Sequence, residues 1–157
     1  MNSSHKTGIA FGLTSGVITT LGVMIGLNAA TSLKLAVIGG ILTIAIADAF
    51  SDALSIHISQ ESSEKNSHSE VWEATLSTFL AKLLVALTFL IPIIFLEFKT
   101  AIIANLAWGL ILIVTFNFYL AKSRNESPLK VISEHLGIAI LVITITHFTG
   151  KLIALYF

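Results

Sequence analysis

Residues 8–30 read GIAFGLTSGVITTLGVMIGLNAA and contain no charged side chain. A helix needs about 20 mainly apolar residues to cross the hydrocarbon core of a bilayer, so this stretch is long enough to span one. It is also longer than the apolar core of a usual signal peptide, and further apolar runs follow it. We therefore predict that residues 8–30 form a retained first membrane span.

The rest of the chain repeats this pattern. Only 11% of the 157 residues are charged, whereas soluble domains carry about 25%. We predict an all-α, polytopic membrane protein that forms a single transmembrane domain over residues 1–157, with one longer polar loop, residues 59–73, on the inner side. The five predicted spans lie at about residues 8–30, 35–58, 74–96, 100–121 and 131–156.

Basic residues predict the orientation, because Lys and Arg accumulate on the cytoplasmic side of membrane proteins. With the N-terminus inside, five basic residues fall on the inner side and three on the outer side. The inner residues are Lys6, Lys65, Lys122, Arg124 and Lys130, and the outer ones are Lys34, Lys99 and Lys151. This bias predicts a cytoplasmic N-terminus and an external C-terminus.

Composition also excludes several functions. The formal net charge is zero, which argues against a nucleic-acid partner because such a partner requires a basic surface. The chain has no cysteine, so disulfides and thiolate chemistry are excluded. No phosphate-binding glycine loop or hydrolase elbow is present. We expect no enzymatic activity and no permanently bound cofactor. The expected partners are the lipid bilayer, ions and a second copy of the chain.

The first span carries a stripe of small residues. Gly8, Gly12 and Gly16 repeat every four positions, so they lie along one face of a helix. Such stripes let two helix backbones approach closely in lipid. The spacing fits either packing against another span of the same chain or the seam of a homodimer.

The second span carries the strongest functional signal. Asp48 and Asp52 lie four positions apart and so share a helical face with Ser51 and Ser55. Each carboxylate in the middle of a membrane costs about 2.5–3.5 kcal/mol on insertion scales. Two of them on one face indicate a water-filled path, a bound cation or a shared proton. We therefore predict a cation transport path along this face.

Lys82 in the third span offers a structural explanation for one of these carboxylates. Asp52 and Lys82 lie at similar depth when counted from the ends of the hairpin that spans two and three would form. An ion pair between them is therefore expected as an alternative to a transport role for Asp52. Asp48 has no evident cationic partner, so we consider it the best functional candidate.

A second group of possible metal ligands follows the second span. His57, Glu61, Glu64 and His68 would share one face if the helix continued beyond the membrane. Carboxylate and imidazole groups suit Mn²⁺, Fe²⁺ or Zn²⁺. The same segment is rich in serine and also has the composition of an ordinary solvated loop, which we favour.

Two stretches resemble the vacuolar iron transporter family of divalent iron and manganese carriers. They are GLTSGVITTLG at residues 12–22 and DAFSDALSI at residues 48–56, the latter running on to Ser59-Gln60-Glu61. The resemblance implies a homodimer whose first two spans line the path, and proton-coupled export of Fe²⁺ or Mn²⁺ from the cytoplasm.

Single positions follow from the same resemblance. The family's acidic residue in the second span falls on Asp48. Ser15 stands where the family usually has Asp, which adds Ser15 to the predicted path, and Ile56 stands where the family has a metal-contacting Met. We expect this transporter in a prokaryotic cell membrane. The alternative is a membrane scaffold that keeps the fold without transporting.

Overall fold

The structure is a computed structural model that describes residues 3–63 and 66–157. Within these ranges every regular element is a helix. Five helical segments are long and apolar enough to cross a membrane: Ser4–Thr31, Lys34–Glu61, His68–Phe95, Phe98–Arg124 and Pro128–Tyr156. The all-α, polytopic fold with five spans is thus confirmed, while the N-in orientation stays a prediction.

Six helices make up these five segments, because the third span is divided. They are α1 (Ser3–Thr31), α2 (Lys34–Glu61), α3 (His68–Thr88), α4 (Leu90–Phe95), α5 (Phe98–Arg124) and α6 (Pro128–Tyr156). Pro92 in α4 has no N–H to donate to the carbonyl of Thr88, which weakens the helix at this point. At the break, Asn105 Nδ2 in α5 donates a hydrogen bond to the carbonyl oxygen of Phe89 at 2.8 Å.

The predicted loop 59–73 is shorter in the structure. Helix α2 continues to Glu61, and α3 already begins at His68. Ser67 determines this start, since its hydroxyl accepts from the backbone N–H of Glu70 while the Glu70 carboxylate accepts from the backbone N–H of Ser67 at 2.9 Å. This reciprocal cap satisfies two backbone donors at the start of α3. It explains why residues 68–73 belong to α3 rather than to the loop.

A carboxylate also marks the start of α5. Glu97 accepts a hydrogen bond from the backbone N–H of Thr100 at 3.2 Å. This bond and a second one from the backbone of Lys99 hold the pKa of the exposed Glu97 carboxyl below its usual value. Negative charge at a helix N-terminus is favourable, which fixes the turn between α4 and α5.

Helix α1 lies at the centre of the bundle and packs against α2, α3, α5 and α6. Its residues Val17, Leu21 and Met24 are fully buried. Helices α2 and α6 flank α1, but over the described residues they make almost no contact with each other. One face of α1 is therefore left open between them.

The glycine stripe faces α3, which corrects the alternative that Gly8, Gly12 and Gly16 form a dimer seam. A Cβ atom added to Gly8 would lie 2.4 Å from the carbonyl oxygen of Ala74, and one added to Gly12 would lie 2.6 Å from that of Thr78. The absence of a side chain thus lets α1 approach the backbone of α3 in the same chain. The stripe is not free to contact a second copy, and a homodimer formed by another surface stays a prediction.

Candidate cation-binding site

Lys82 is the centre of a cluster of polar side chains inside the bundle. Its side chain projects from α3 and is only 2% exposed. The Nζ atom contacts Asp52 Oδ2, which is the ion pair expected from the depth of these two residues. It also lies 2.5 Å from Asp48 Oδ2. A single ammonium therefore bridges two carboxylates that lie one turn apart on α2.

Ser15 links this cluster to α1. Its hydroxyl donates to Asp52 Oδ2 at 2.7 Å and accepts from Lys82 Nζ at 2.9 Å. The four residues thus connect α1, α2 and α3 near the middle of each helix. We call Ser15, Asp48, Asp52 and Lys82 the ionic cluster.

The expectation that Asp48 has no cationic partner is wrong. Asp48 and Asp52 are separated by about 6 Å along the axis of α2, because a helix rises about 1.5 Å per residue. A lysine ammonium on its four-carbon stem reaches between them. The contact to Asp48 Oδ2 is an ion pair without a well-aligned hydrogen bond, so Asp48 is the less firmly held of the two carboxylates.

Two open grooves run along α1, and one residue of the ionic cluster lines each of them. The N-terminal groove, of about 430 Å³, lies between α1, α5 and α6 and is also lined by Ile56 of α2. The C-terminal groove, of about 750 Å³, lies between α1, α2 and α6. Polar residues that line the N-terminal groove are Thr7, Thr14, Ser15, Arg124, Glu126, Glu134 and His135. Those that line the C-terminal groove are Thr19, Thr43, Asp48, Ser51 and Thr146.

The ionic cluster presents a polar group to each groove. Asp48 lines the C-terminal groove, whereas Ser15, the partner of Asp52, lines the N-terminal groove. The grooves adjoin on α1, where Ile18 lines the first and Thr19 the second. The side chains of Asp48 and Asp52 are 28% and 19% exposed. Both carboxylates are thus partly exposed, Asp48 in the C-terminal groove, while the ammonium behind them is buried.

The two serines of the predicted stripe lie outside the ionic cluster. Ser51 is exposed and lines the C-terminal groove. Ser55 is also exposed, and its hydroxyl donates to the backbone carbonyl of Ser51 at 2.9 Å. Ser51 can therefore contact an ion in the groove, whereas the hydroxyl group of Ser55 is hydrogen-bonded to the backbone of its own helix.

The described members of the predicted second group of metal ligands, His57, Glu61 and His68, are not brought together as a metal site. Its premise was a helix running through to His68, but α2 ends at Glu61 and His68 belongs to α3. Glu64 lies outside the described residues. In the part of the chain that the structure describes, no group of three or more His, Asp or Glu side chains is placed to hold a metal ion.

His57 has a different environment from Asp48. It lies nine positions further along α2, which places it on the opposite face and about 14 Å away along the axis. Its Nδ1 is 2.9 Å from Thr75 Oγ1, whose own hydrogen goes to the carbonyl of Val71 at 2.7 Å. Nδ1 of His57 is therefore the donor in this contact. Its ring packs edge-on against Trp72, with the centroids 4.8 Å apart, so His57 serves the α2–α3 interface.

The acidic residues of the N-terminal groove were not singled out from the sequence. Glu126 lies in the turn before α6, and Glu134 with His135 lies in its second turn. His135 Nδ1 is 2.9 Å from the carbonyl of Val131, so Nδ1 is the donor in this hydrogen bond. In the neutral ring, Nε2 is then the acceptor. The predicted topology could have indicated these acidic residues, because it places the turn before the fifth span on the same side of the membrane as the start of α1.

The ionic cluster has the chemistry of a cation site. Two carboxylates and one ammonium give it a formal charge of −1, and the hydroxyl of Ser15 adds a neutral oxygen. Oxygen donors of this kind suit Mn²⁺ and similar hard cations. Comparison of the chain with protein-family models and with curated protein sequences returned no match.

Proposed function

We propose that this protein transports a divalent transition-metal cation, Fe²⁺ or Mn²⁺, along the open face of α1. The observation that carries the proposal is a pair of carboxylates held within the spans at Lys82. Asp48 lines the C-terminal groove, and Ser15, which donates to Asp52, lines the N-terminal groove. Ionisable residues within a membrane span mark ion pathways more often than packing sites, because their burial is costly. The resemblance to the vacuolar iron transporter family in residues 12–22 and 48–56 supports the choice of metal.

Charge balance supports coupling to protons. The ionic cluster carries −1, so one bound proton neutralises it, whereas a divalent cation would bring it to +1. A proton and a metal both bind through the carboxylate oxygens and therefore compete for them. Loading the metal should release the proton, and unloading should allow a proton to return. This exchange couples metal export from the cytoplasm to proton entry.

The grooves supply a route for the ion. Glu126, Glu134 and Arg124 line the N-terminal groove and give it a formal charge of −1, which raises the local concentration of cations. The ion would then pass Ser15, meet the carboxylates and leave through the C-terminal groove, which the exposed hydroxyl groups of Thr43 and Ser51 line. In the predicted orientation the first groove opens to the cytoplasm and the second to the outside.

A membrane scaffold is the second candidate function, and one observation favours it. Lys82 already contacts both carboxylates, and the described residues offer no third His, Asp or Glu ligand nearby. The ionic cluster would then serve only to hold α1, α2 and α3 together. Such a protein would be folded and stable but would move no metal.

The test is Mn²⁺ flux into proteoliposomes that contain the purified protein. Asp48→Asn keeps the shape of the side chain and removes its charge, so flux should fall at least about tenfold while folding is retained. Asp48→Glu should keep part of the activity. Glu61→Gln is the matched control, since it removes a carboxylate from the exposed end of the same helix. Flux by the parent no higher than in empty liposomes would support the scaffold instead.

A further inference from the structure

We propose that Lys82 is a tethered competitor for the cation: its ammonium occupies the two carboxylates when the site is empty, and the transported ion must displace it. This inference rests on the proposed transport function and adds a residue that controls affinity. Lys82 would lower the affinity of the site for the metal and so favour its release. Transport needs such a balance, because binding must be favourable enough for entry and weak enough for exit.

The contacts of the ammonium carry the first step. Lys82 Nζ touches one oxygen of each carboxylate, Asp48 Oδ2 and Asp52 Oδ2, and also Ser15 Oγ. A cation that bound both carboxylates through these two Oδ2 atoms would take the place of the ammonium. Two cations cannot share them at contact distance without strong repulsion. The metal and the ammonium are therefore alternative occupants of one position.

A second hydrogen-bond acceptor for the displaced ammonium lies next to the carboxylates. Ser15 lines the N-terminal groove, and its Oγ is 2.9 Å from Lys82 Nζ. Ser15 Oγ can therefore still accept a hydrogen bond from the ammonium when the metal binds the carboxylates. Gly16 leaves room for the lysine stem, since a Cβ atom there would lie 3.2 Å from Lys82 Cγ. The flexible four-carbon stem allows the head group to shift without moving α3.

The direct test measures Mn²⁺ binding to purified protein at fixed pH and ionic strength. Lys82→Gln removes the charge and keeps a hydrogen-bond donor near the carboxylates, so its Kd for Mn²⁺ should be at least about tenfold lower, equivalent to about 1.4 kcal/mol. Lys82→Arg keeps a competing cation and should bind about as weakly as the parent. Lys151→Gln removes a lysine from an exposed position in α6 and is the charge-matched control. Asp48→Asn added to Lys82→Gln should abolish the gain.

Each outcome decides the proposal. If the parent transports or binds Mn²⁺ and folded Lys82→Gln binds it equally or less tightly, Lys82 is no competitor, although the proposed function stands. If neither the parent nor any variant binds Mn²⁺, the proposed function fails and this inference fails with it. Should Lys82→Gln aggregate without metal, Mn²⁺ during purification should restore a monodisperse protein by filling the vacated position. Aggregation that Mn²⁺ does not relieve would contradict the proposal.

Discussion

The stability of the ionic cluster can be measured by removing Lys82. Lys82→Met keeps the length of the stem and its packing but leaves Asp48 and Asp52 without their cation. Breaking a buried ion pair by removing one partner costs about 3–5 kcal/mol. Because the two carboxylates are 28% and 19% exposed, water in the grooves should relieve part of that cost. We therefore expect Lys82→Met to lower the free energy of unfolding by about 3 kcal/mol, near the lower end of that range.

Removing the carboxylates should then recover the loss. Asp52→Asn added to Lys82→Met leaves one uncompensated carboxylate, so about half of the lost free energy should return. Asp48→Asn as a third change should return most of the remainder. The pairwise coupling energy between Lys82 and Asp52 should lie within about 0.5–3 kcal/mol, as is usual for residues in direct contact.

The assay is reversible unfolding in mixed detergent micelles, followed by the loss of helical circular dichroism. Lys151→Met is the control, because a surface substitution should change stability by no more than about 0.5 kcal/mol. Effects of Lys82→Met and Asp52→Asn that add within about 0.5 kcal/mol would show that the two residues do not interact. The ionic cluster as described would then be wrong.

Three further predictions test the packing and the topology. Gly12→Ala places a Cβ atom 2.6 Å from a backbone carbonyl of α3 and should destabilise the protein by about 1–3 kcal/mol. Gly39→Ala is the control, because its Cβ atom meets nothing within 4 Å, and it should be neutral or stabilising. A Gly12→Ala protein that keeps its stability and loses only its oligomeric state would restore the dimer-seam interpretation. Asn105→Ala removes the donor to the helix break in the third span and should cost about 1–3 kcal/mol in the same unfolding assay. Accessibility tags at Met1 and Phe157 should report opposite sides of the membrane, and tags on one side would refute the five-span topology.

The number of spans was predictable because it depends only on the length of apolar runs. The 28% and 19% exposure of the two carboxylates was not predictable, since it depends on the gap between α2 and α6, which are remote in sequence. The Asp52–Lys82 contact could be expected from depth in the hairpin. The contact to Asp48 was missed because a lysine side chain reaches across a full helical turn.

Two other differences have local causes. The spacing of Gly8, Gly12 and Gly16 specifies close helix packing but not the partner, which proved to be α3 of the same chain. The expected loop 59–73 was largely helix because the reciprocal cap between Ser67 and Glu70 starts α3 early. That same cap separates His68 from α2 and removes the shared face on which the second metal site depended.

In the proposed transport cycle, Asp48 exchanges a metal ion for a proton. The most direct measurement follows Mn²⁺ and pH together in proteoliposomes with an acidic interior and no initial metal gradient. Outward proton flow should drive Mn²⁺ accumulation by the parent, collapse of the gradient with a protonophore should stop it, and Asp48→Asn should abolish both fluxes. Mn²⁺ accumulation by Asp48→Asn equal to that of the parent, or metal movement by the parent without any proton flow, would contradict the account.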